Sequence, residues 1–183
     1  MGGEAKKREI RELYDQTAVF YDRRYREIQL QKYRLAERYL SPCERLLEVG
    51  CGTGLYLRRL RKLAKVLVGI DLSGGMLRRA RGRGTLLVLA DAEQLPFKDG
   101  TFDEVLSITT LQNLPDPVRA LAEMRRVLHA GGRLVVSSLR KKHSLRTLKE
   151  MVRDAGLRIL EGIDEKGCED VFVIATKEDG GKL

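Results

Sequence analysis

Residues 46–54 read Leu-Leu-Glu-Val-Gly-Cys-Gly-Thr-Gly: an apolar run broken by one carboxylate, then glycine at every second position. Three bare Cα atoms so close together, directly after a strand-like run, mark a tight strand-to-helix turn whose backbone can lie against a ligand. Such a turn belongs to an α/β fold, where strands alternate with helices and ligands bind beyond the carboxyl ends of a parallel sheet. Asp71 ends the next apolar run, about 20 residues on, where a carboxylate can bind both hydroxyls of a ribose. The dinucleotide pattern G-x-G-x-x-G would need glycine at position 55, but Leu55 stands there and Gly54 comes one place early. The spacing points to a nucleoside cofactor and away from NAD.

Periodicity carries the alternation through the chain. Strands are expected at 45–49, 66–72, 85–90, 102–108 and 133–138, with a closing pair at 157–163 and 171–175. The link within that pair is too short for a parallel crossover, which takes about a dozen residues, so an antiparallel hairpin is expected. One helix is expected over 55–65, with five basic residues on its outer side. A second contains Met76, Leu77 and Ala80 and is stopped by Gly82 and Gly84; a third runs from the Asp116-Pro117 cap to Gly131-Gly132; a fourth runs from Ser144 to Gly156. The fold expected is α/β, a doubly wound sheet of seven strands, mostly parallel, with helices on both faces. Residues 1–44 read as a helical lid segment and 45–183 as the core, together one domain.

Residues 48–54, from Glu48 to Gly54, resemble the first motif of the class I S-adenosylmethionine-dependent methyltransferases, an acidic residue followed by G-x-G-x-G. The likeness continues in order. GIDLSGGMLRRAR (69–81) resembles the second motif, DAEQLPF (91–97) the adenine-binding segment, FDEVLSITTLQNLPDP (102–117) the fourth strand and its loop, and RVLHAGGRLVVSS (126–138) the fifth strand. YDQTAVFYDRRY (14–25) is similar to the helix that closes over the cofactor in the subfamily related to ubiquinone- and menaquinone-biosynthesis methyltransferases. The resemblance implies a Rossmann-like core, S-adenosyl-L-methionine as cofactor, S-adenosyl-L-homocysteine as product, and in-line methyl transfer. It implies that Glu48 meets the methionine end, that Asp71 takes the ribose hydroxyls, and that Asp91 accepts from the adenine amino group beside Ala92, with Leu72 against the ring. Gly50, Cys51, Gly52, Gly54, Thr109 and Tyr21 would complete the cofactor's surroundings. No phosphate needs cradling, and no lysine stands in the loop.

In-line displacement draws much of its rate from orientation and exclusion of water, so a dedicated base is optional. The loop after the fourth strand often reads L-H-H-L-P-D-P in the subfamily; here Gln112 and Asn113 replace the histidines. They can bind an acceptor but cannot take its proton. His143, just after the fifth strand, and Tyr21 are the other candidates for a catalytic group. His129 is expected in a turn at the opposite edge of the sheet.

The formal net charge of +9 raises nucleic acid as a partner. Residues 45–84 carry ten Lys/Arg against two Asp/Glu and 119–149 carry nine against one, while 85–118 and 150–183 are net acidic. Right-handed crossovers set the helices flanking the second strand on one face and the helix after residue 117 on the other, so the basic blocks lie back to back. Only Arg140, Lys141 and Lys142, with Arg23, Arg24 and Arg26, are expected near the ligand mouth, where they could contact phosphates. A link of only residues 139–143 after the fifth strand leaves the roof to the N-terminal segment, a macromolecule, a partner subunit or a second copy. RNA or another macromolecule is the expected acceptor, a small molecule the alternative, and a non-catalytic S-adenosylmethionine-binding subunit the reading from another class.

No run of about 18 apolar residues occurs, and the N-terminus is charged where a signal peptide would be apolar, so a cytoplasmic protein without a membrane partner is expected. Cys43, Cys51 and Cys168 are widely spaced and only two histidines accompany them, which argues against a structural metal. One asparagine, no tryptophan and 33% charged residues suit a thermophile's protein.

Overall fold

The computed structural model describes residues 2–178. Five strands run parallel: β1 (Cys43–Val49), β2 (Ala64–Asp71), β3 (Leu86–Leu89), β4 (Phe102–Ser107) and β5 (Leu128–Leu139). β6 (Arg158–Ile163) and β7 (Asp170–Thr176) form the antiparallel hairpin read from the sequence, with β7 inserted between β5 and β6. The sheet order is β3-β2-β1-β4-β5-β7-β6. Strand order therefore reverses at β1, and a crevice opens there beyond the carboxyl ends of β1 and β4.

Successive residues of a strand face opposite sides, which sorts the core into two layers. Leu47, Val105 and Val136 face α4 (Pro117–Val127) and α5 (Leu145–Asp154), packing with Leu121, Met124 and Val152. Leu46, Leu106 and Val135 face α1 (Gly2–Glu37), α2 (Leu57–Leu60) and α3 (Gly74–Ala80), packing with Ala36, Leu57 and Leu77. Burying one such leucine stabilises the fold by about 1.5–3 kcal/mol. Side-chain caps start three of these helices. Asp116 accepts from Arg119 N with Pro117 at the first helical position, Ser144 accepts from Thr147 N, and Ser73 accepts from Met76 N.

α1 is unusual in having two unlike halves. Its C-terminal half buries Gln29, Lys32, Tyr33, Leu35 and Ala36 against the sheet, whereas its N-terminal half buries only Ala18 and runs out over the carboxyl ends of the strands. At about 1.5 Å per residue its 36 residues span roughly 54 Å, longer than the core needs. No helix among the described residues is long and apolar enough to cross a membrane.

Two helix boundaries differ from the sequence reading. The helix expected over 55–65 is the single turn of α2, because Leu63 O accepts from Cys43 N (2.8 Å) and Arg61 Nη1 donates to Ala64 O (2.6 Å), drawing the chain into β2. α4 ends at Val127 and not at Gly131-Gly132: Leu128 already pairs with Phe102 in the sheet, and the glycines sit where the β4–β5 register shifts. A Cβ at Gly132 would lie 2.9 Å from His129 O and 3.1 Å from Asp103 O, so the bulge needs the glycine.

Gly54 serves packing. Its φ is 72°, and a Cβ there would lie 2.6 Å from Leu57 Cδ1 and 2.9 Å from Ala80 Cβ, between α2 and α3. Gly54→Ala should therefore destabilise the protein by about 2–4 kcal/mol, the combined scale of left-handed strain and overpacking, as a lowered midpoint in urea unfolding. An unchanged midpoint would show that the two helices can part freely.

Candidate active site

The glycine loop is tied to the sheet by its own amides, Gly50 N and Cys51 N both donating to Ile70 O at 2.9 Å. Gly52 follows with φ 54°, and a Cβ placed on it would have nothing within 4 Å. Its bare face opens onto a cleft of about 780 Å³, counted to its open mouth. Asp71 lies beside it: Oδ2 accepts from Gly52 N (2.9 Å) and Oδ1 from Ser73 N (2.8 Å). Burial raises the Asp71 pKa, and those two amides oppose the shift.

Of the residues singled out in the sequence, Gly50, Gly52, Asp71, Leu72, Asp91 and Ala92 line this cleft, as do Thr109, Asn113 and Tyr21. Glu48, Cys51 and Gly54 do not open onto it. Cys51 is 3% exposed and fills the space over Gly69, and burial pushes its thiol well up. Glu48 is 1% exposed beneath the loop. Tyr33 donates to its Oε1, while its Oε2 is buried without a partner. Burial pushes the Glu48 carboxyl up to about 8, the Tyr33 hydrogen bond opposing and the Asp71 carboxylate adding.

Sequence reasoning read residues 14–25 as the lid but did not single out the side chains that fasten α1 to the cleft, and Lys6 and Lys7 lie outside that segment. Lys7 Nζ lies 2.6 Å from Asp91 Oδ2 and 2.7 Å from Glu93 Oε2; burial alone would lower its pKa, but the two carboxylates raise it. Lys6 donates to Leu114 O (3.0 Å) and Tyr14 OH accepts from Asn113 Nδ2 (2.9 Å) on the facing rim. Asp15 Oδ1 accepts from Ser73 Oγ (2.6 Å) and Gly75 N (2.7 Å), and Thr53 Oγ1 donates to Asp22. The helix is strapped to both rims. Tyr14, Tyr21 and Tyr25 follow one another along it, with ring centroids 6.2 and 5.0 Å apart. Tyr14 opens the 14–25 segment read as the lid and recurs with Tyr21 and Tyr25 at helical spacing; charged Lys7 gave no signal.

The other catalytic candidates are less exposed to the cleft. Gln112 and His143 do not line it. Gln112 Nε2 donates to Thr109 O (2.5 Å), its Oε1 accepts from Ser138 Oγ (3.1 Å), and that hydroxyl lies 2.8 Å from His143 Nδ1. Burial, then Lys142, lowers the His143 pKa. Arg140, expected free at the mouth, is occupied by Asp164, Glu165 O and Cys168 O. Lys141, Lys142, Arg23, Arg24 and Arg26 are exposed, with the Arg24 guanidinium 5.3 Å over the Tyr25 ring. His129 lies at the other sheet edge with Asp103, as its position in the sequence suggested. No cluster of metal-ligating side chains occurs among the described residues.

A crevice at a strand-order reversal, floored by a bare glycine loop and flanked by carboxylates ending β2 and following β3, defines a Rossmann-like protein that binds a nucleoside. The methyltransferase domain family matches residues 47–136. The demethylmenaquinone methyltransferase of Corynebacterium kroppenstedtii is 40% identical over 96 residues, 52% of this chain and 42% of that protein. The enzyme of that name from Mycobacterium sp. strain KMS is 32% identical over 162 residues, 79% of this chain and 70% of that one. Among solved structures, the methyltransferase complexed with the Haloferax volcanii Trm112 methyltransferase activator superposes with a TM-score of 0.82 at 19% identity, covering 91% of this chain and 98% of the other. This chain belongs to the class I S-adenosylmethionine-dependent methyltransferases, in the group related to the quinone-biosynthesis methyltransferases. S-adenosylmethionine is the cofactor of that family.

A carboxyl whose pKa is higher folded than unfolded costs nothing below its unfolded pKa and destabilises progressively as the pH rises to the folded value. For Glu48 that window runs from about 4 to about 8. Glu48→Gln removes the titration, so its stability relative to wild type should gain about 3–4 kcal/mol between pH 5 and pH 8.5, read by urea unfolding of the cofactor-free proteins. Parallel pH profiles in the two proteins would contradict a buried, protonated Glu48.

Proposed function

We propose that this protein moves the methyl group of S-adenosylmethionine onto a small, largely apolar acceptor enclosed beneath α1. The observation that carries the cofactor part of this reading is the pairing of Gly52, bare towards the cleft, with Asp71 held 2.9 Å from its amide. A naked backbone and a fixed carboxylate side by side suit a ribose. Glu48 Oε2, buried beneath the loop without a partner, would meet the methionine ammonium only through a water that reaches it from the cleft. When bound, the cofactor supplies a methyl group on a positively charged sulfur.

The chain's own part is to bind, orient and exclude water. Asp71 holds the ribose; Asp91, Ala92 and Leu72 hold the adenine once Lys7 yields Asp91 Oδ2; Gly50, Thr109 and Tyr21 enclose the other end. Burial raises the pKa values of Tyr14 and Tyr21, so their hydroxyls stay protonated and serve to orient an acceptor. The contacts of α1 on both rims supply the exclusion that an in-line displacement profits from.

Ile10, Ile108, Leu114 and Pro115 join the two tyrosines in the cleft wall, which favours an apolar acceptor. Kinship with demethylmenaquinone methyltransferases favours the same class. RNA is the second reading, supported by the exposed Lys141, Lys142, Arg23, Arg24 and Arg26, but weakened by the engagement of Arg140. A partner subunit has two supports: the likeness to the chain solved with an activator, and the open edge strand β3, where Leu86 and Leu89 are 62% and 63% exposed.

Labelled methyl transfer into separated small-molecule and RNA fractions tests the acceptor class. Lys141→Ala/Lys142→Ala should leave turnover of a small acceptor unchanged at every salt concentration; an RNA acceptor would show a salt slope flattened by about two units. The cofactor reading has its own test. Asp71→Ala should weaken S-adenosylhomocysteine binding by about 1.5–3 kcal/mol in calorimetry, the scale of hydrogen bonds to a charged group. Undiminished affinity would remove Asp71 from the ribose.

A further inference from the structure

Thr109, just beyond β4, has φ 56° and is the one non-glycine residue in the left-handed region among the described residues. A β-branched residue stays there only where its surroundings over-determine it. Every polar group of Thr109 is committed. Its amide donates to Ser137 Oγ (3.0 Å), its hydroxyl to Asp170 Oδ2 (2.7 Å), and its carbonyl accepts from Gln112 Nε2 (2.5 Å). Ser137 Oγ donates in turn to the same Asp170 oxygen (2.7 Å). Asp170 is 0% exposed, and its charge is met by Lys32, 1% exposed, whose Nζ lies 2.8 Å from Oδ1 and 3.3 Å from the Thr109 hydroxyl. Lys32 belongs to α1 and Asp170 opens β7, so elements far apart in the chain meet on one strained residue.

A buried ion pair adds little net stability, because desolvation offsets its attraction. A fixed geometry is what this one supplies, and the geometry matters downstream. The left-handed turn sends Thr110 back over the glycine loop, where a Cβ on Gly50 would lie 2.7 Å from Thr110 Cγ2. It also starts the Leu111–Asn113 turn that brings Asn113 and Leu114 into the cleft wall. We propose that Lys32 and Asp170 are positioning residues of the cofactor cleft, holding Thr109 in its left-handed turn and thereby setting the wall that closes on the glycine loop. Because Lys32 lies on α1, one carboxylate fixes both the seat of the lid and the shape of the wall. The inference rests on the cleft's being the S-adenosyl nucleoside site.

S-adenosylhomocysteine, titrated by calorimetry into the full chain, is the probe. Asp170→Asn should bind it about tenfold more weakly than wild type, and so should Thr109→Ala, which keeps the backbone strain but loses the anchoring hydroxyl. Thr109→Gly loses the same hydroxyl and the same contact with the ligand, but should bind at least about threefold more tightly than Thr109→Ala, since glycine adopts this backbone unaided. The double variant Thr109→Gly/Asp170→Asn separates positioning from stability: its affinity should return to that of Thr109→Gly while its urea midpoint stays as low as that of Asp170→Asn. Wild-type affinity in Asp170→Asn, or a double variant as weak as Asp170→Asn, would overturn the positioning role. Should Asp170→Asn fail to fold, equal affinities of Thr109→Ala and Thr109→Gly would overturn it instead. A wild-type protein that binds no S-adenosylhomocysteine would overturn the cofactor reading itself, before any variant is made.

Discussion

The hydrogen bond from the Gly52 amide to Asp71 Oδ2, 2.9 Å long, joins the loop that ends β1 to the end of β2, and the cleft takes its shape around it. β1 stands where the strand order turns, so the bond lies between connections that diverge to β2 on one side and β4 on the other. Burial works against a charge at Asp71, yet two amides point at it. Hydrogen bonds to a charged acceptor are roughly twice as strong as neutral ones, which holds the loop, the carboxylate and the start of α3 as one rigid corner. That corner leaves a bare strip of backbone facing a carboxylate.

Over this rigid corner lies a helix of two characters. The half of α1 from Gln29 to Ala36 is fixed by burial and by the Lys32–Asp170 pair. The half before it is held by polar contacts at the rims, of which Lys7 on Asp91 and Glu93 is the most developed. The outer half buries only Ala18, whereas the inner half buries five residues, so the outer half is the part of the helix that can lift while the inner half stays. On the proposed reading of Asp91 as the adenine's partner, Lys7 occupies the oxygen that the adenine amino group would need, and entry of the nucleoside would release that end of the helix.

The parts visible in the sequence were those carried by local pattern. The glycine spacing, the aspartates ending two apolar runs, the Asp116-Pro117 cap and the closing hairpin each declare themselves within a few residues, and each lies where it was expected. What the sequence hid depends on contacts between distant positions. Lys7 and Asp91 are 84 residues apart, and a lysine on a highly charged helix reads as solvated until the topology sets it on a carboxylate. Lys32 reads the same way although it is 1% exposed, because its partner Asp170 comes from the last strand. Arg140 failed in the opposite sense, as a rim charge that the β6–β7 link captures through Asp164. The helix expected over 55–65 shrank to one turn for a related reason: a hydrogen bond from β1 to Leu63 O outcompeted the local preference for helix.

A lid that closes over a nucleoside cofactor has a direct signature in amide hydrogen exchange, followed segment by segment with and without saturating S-adenosylhomocysteine. Residues 10–25 should exchange quickly in the free protein and slow markedly when the ligand binds, while residues 29–37 should be slow in both states. Exchange of residues 10–25 that is unaltered by saturating ligand would contradict a cofactor held beneath α1.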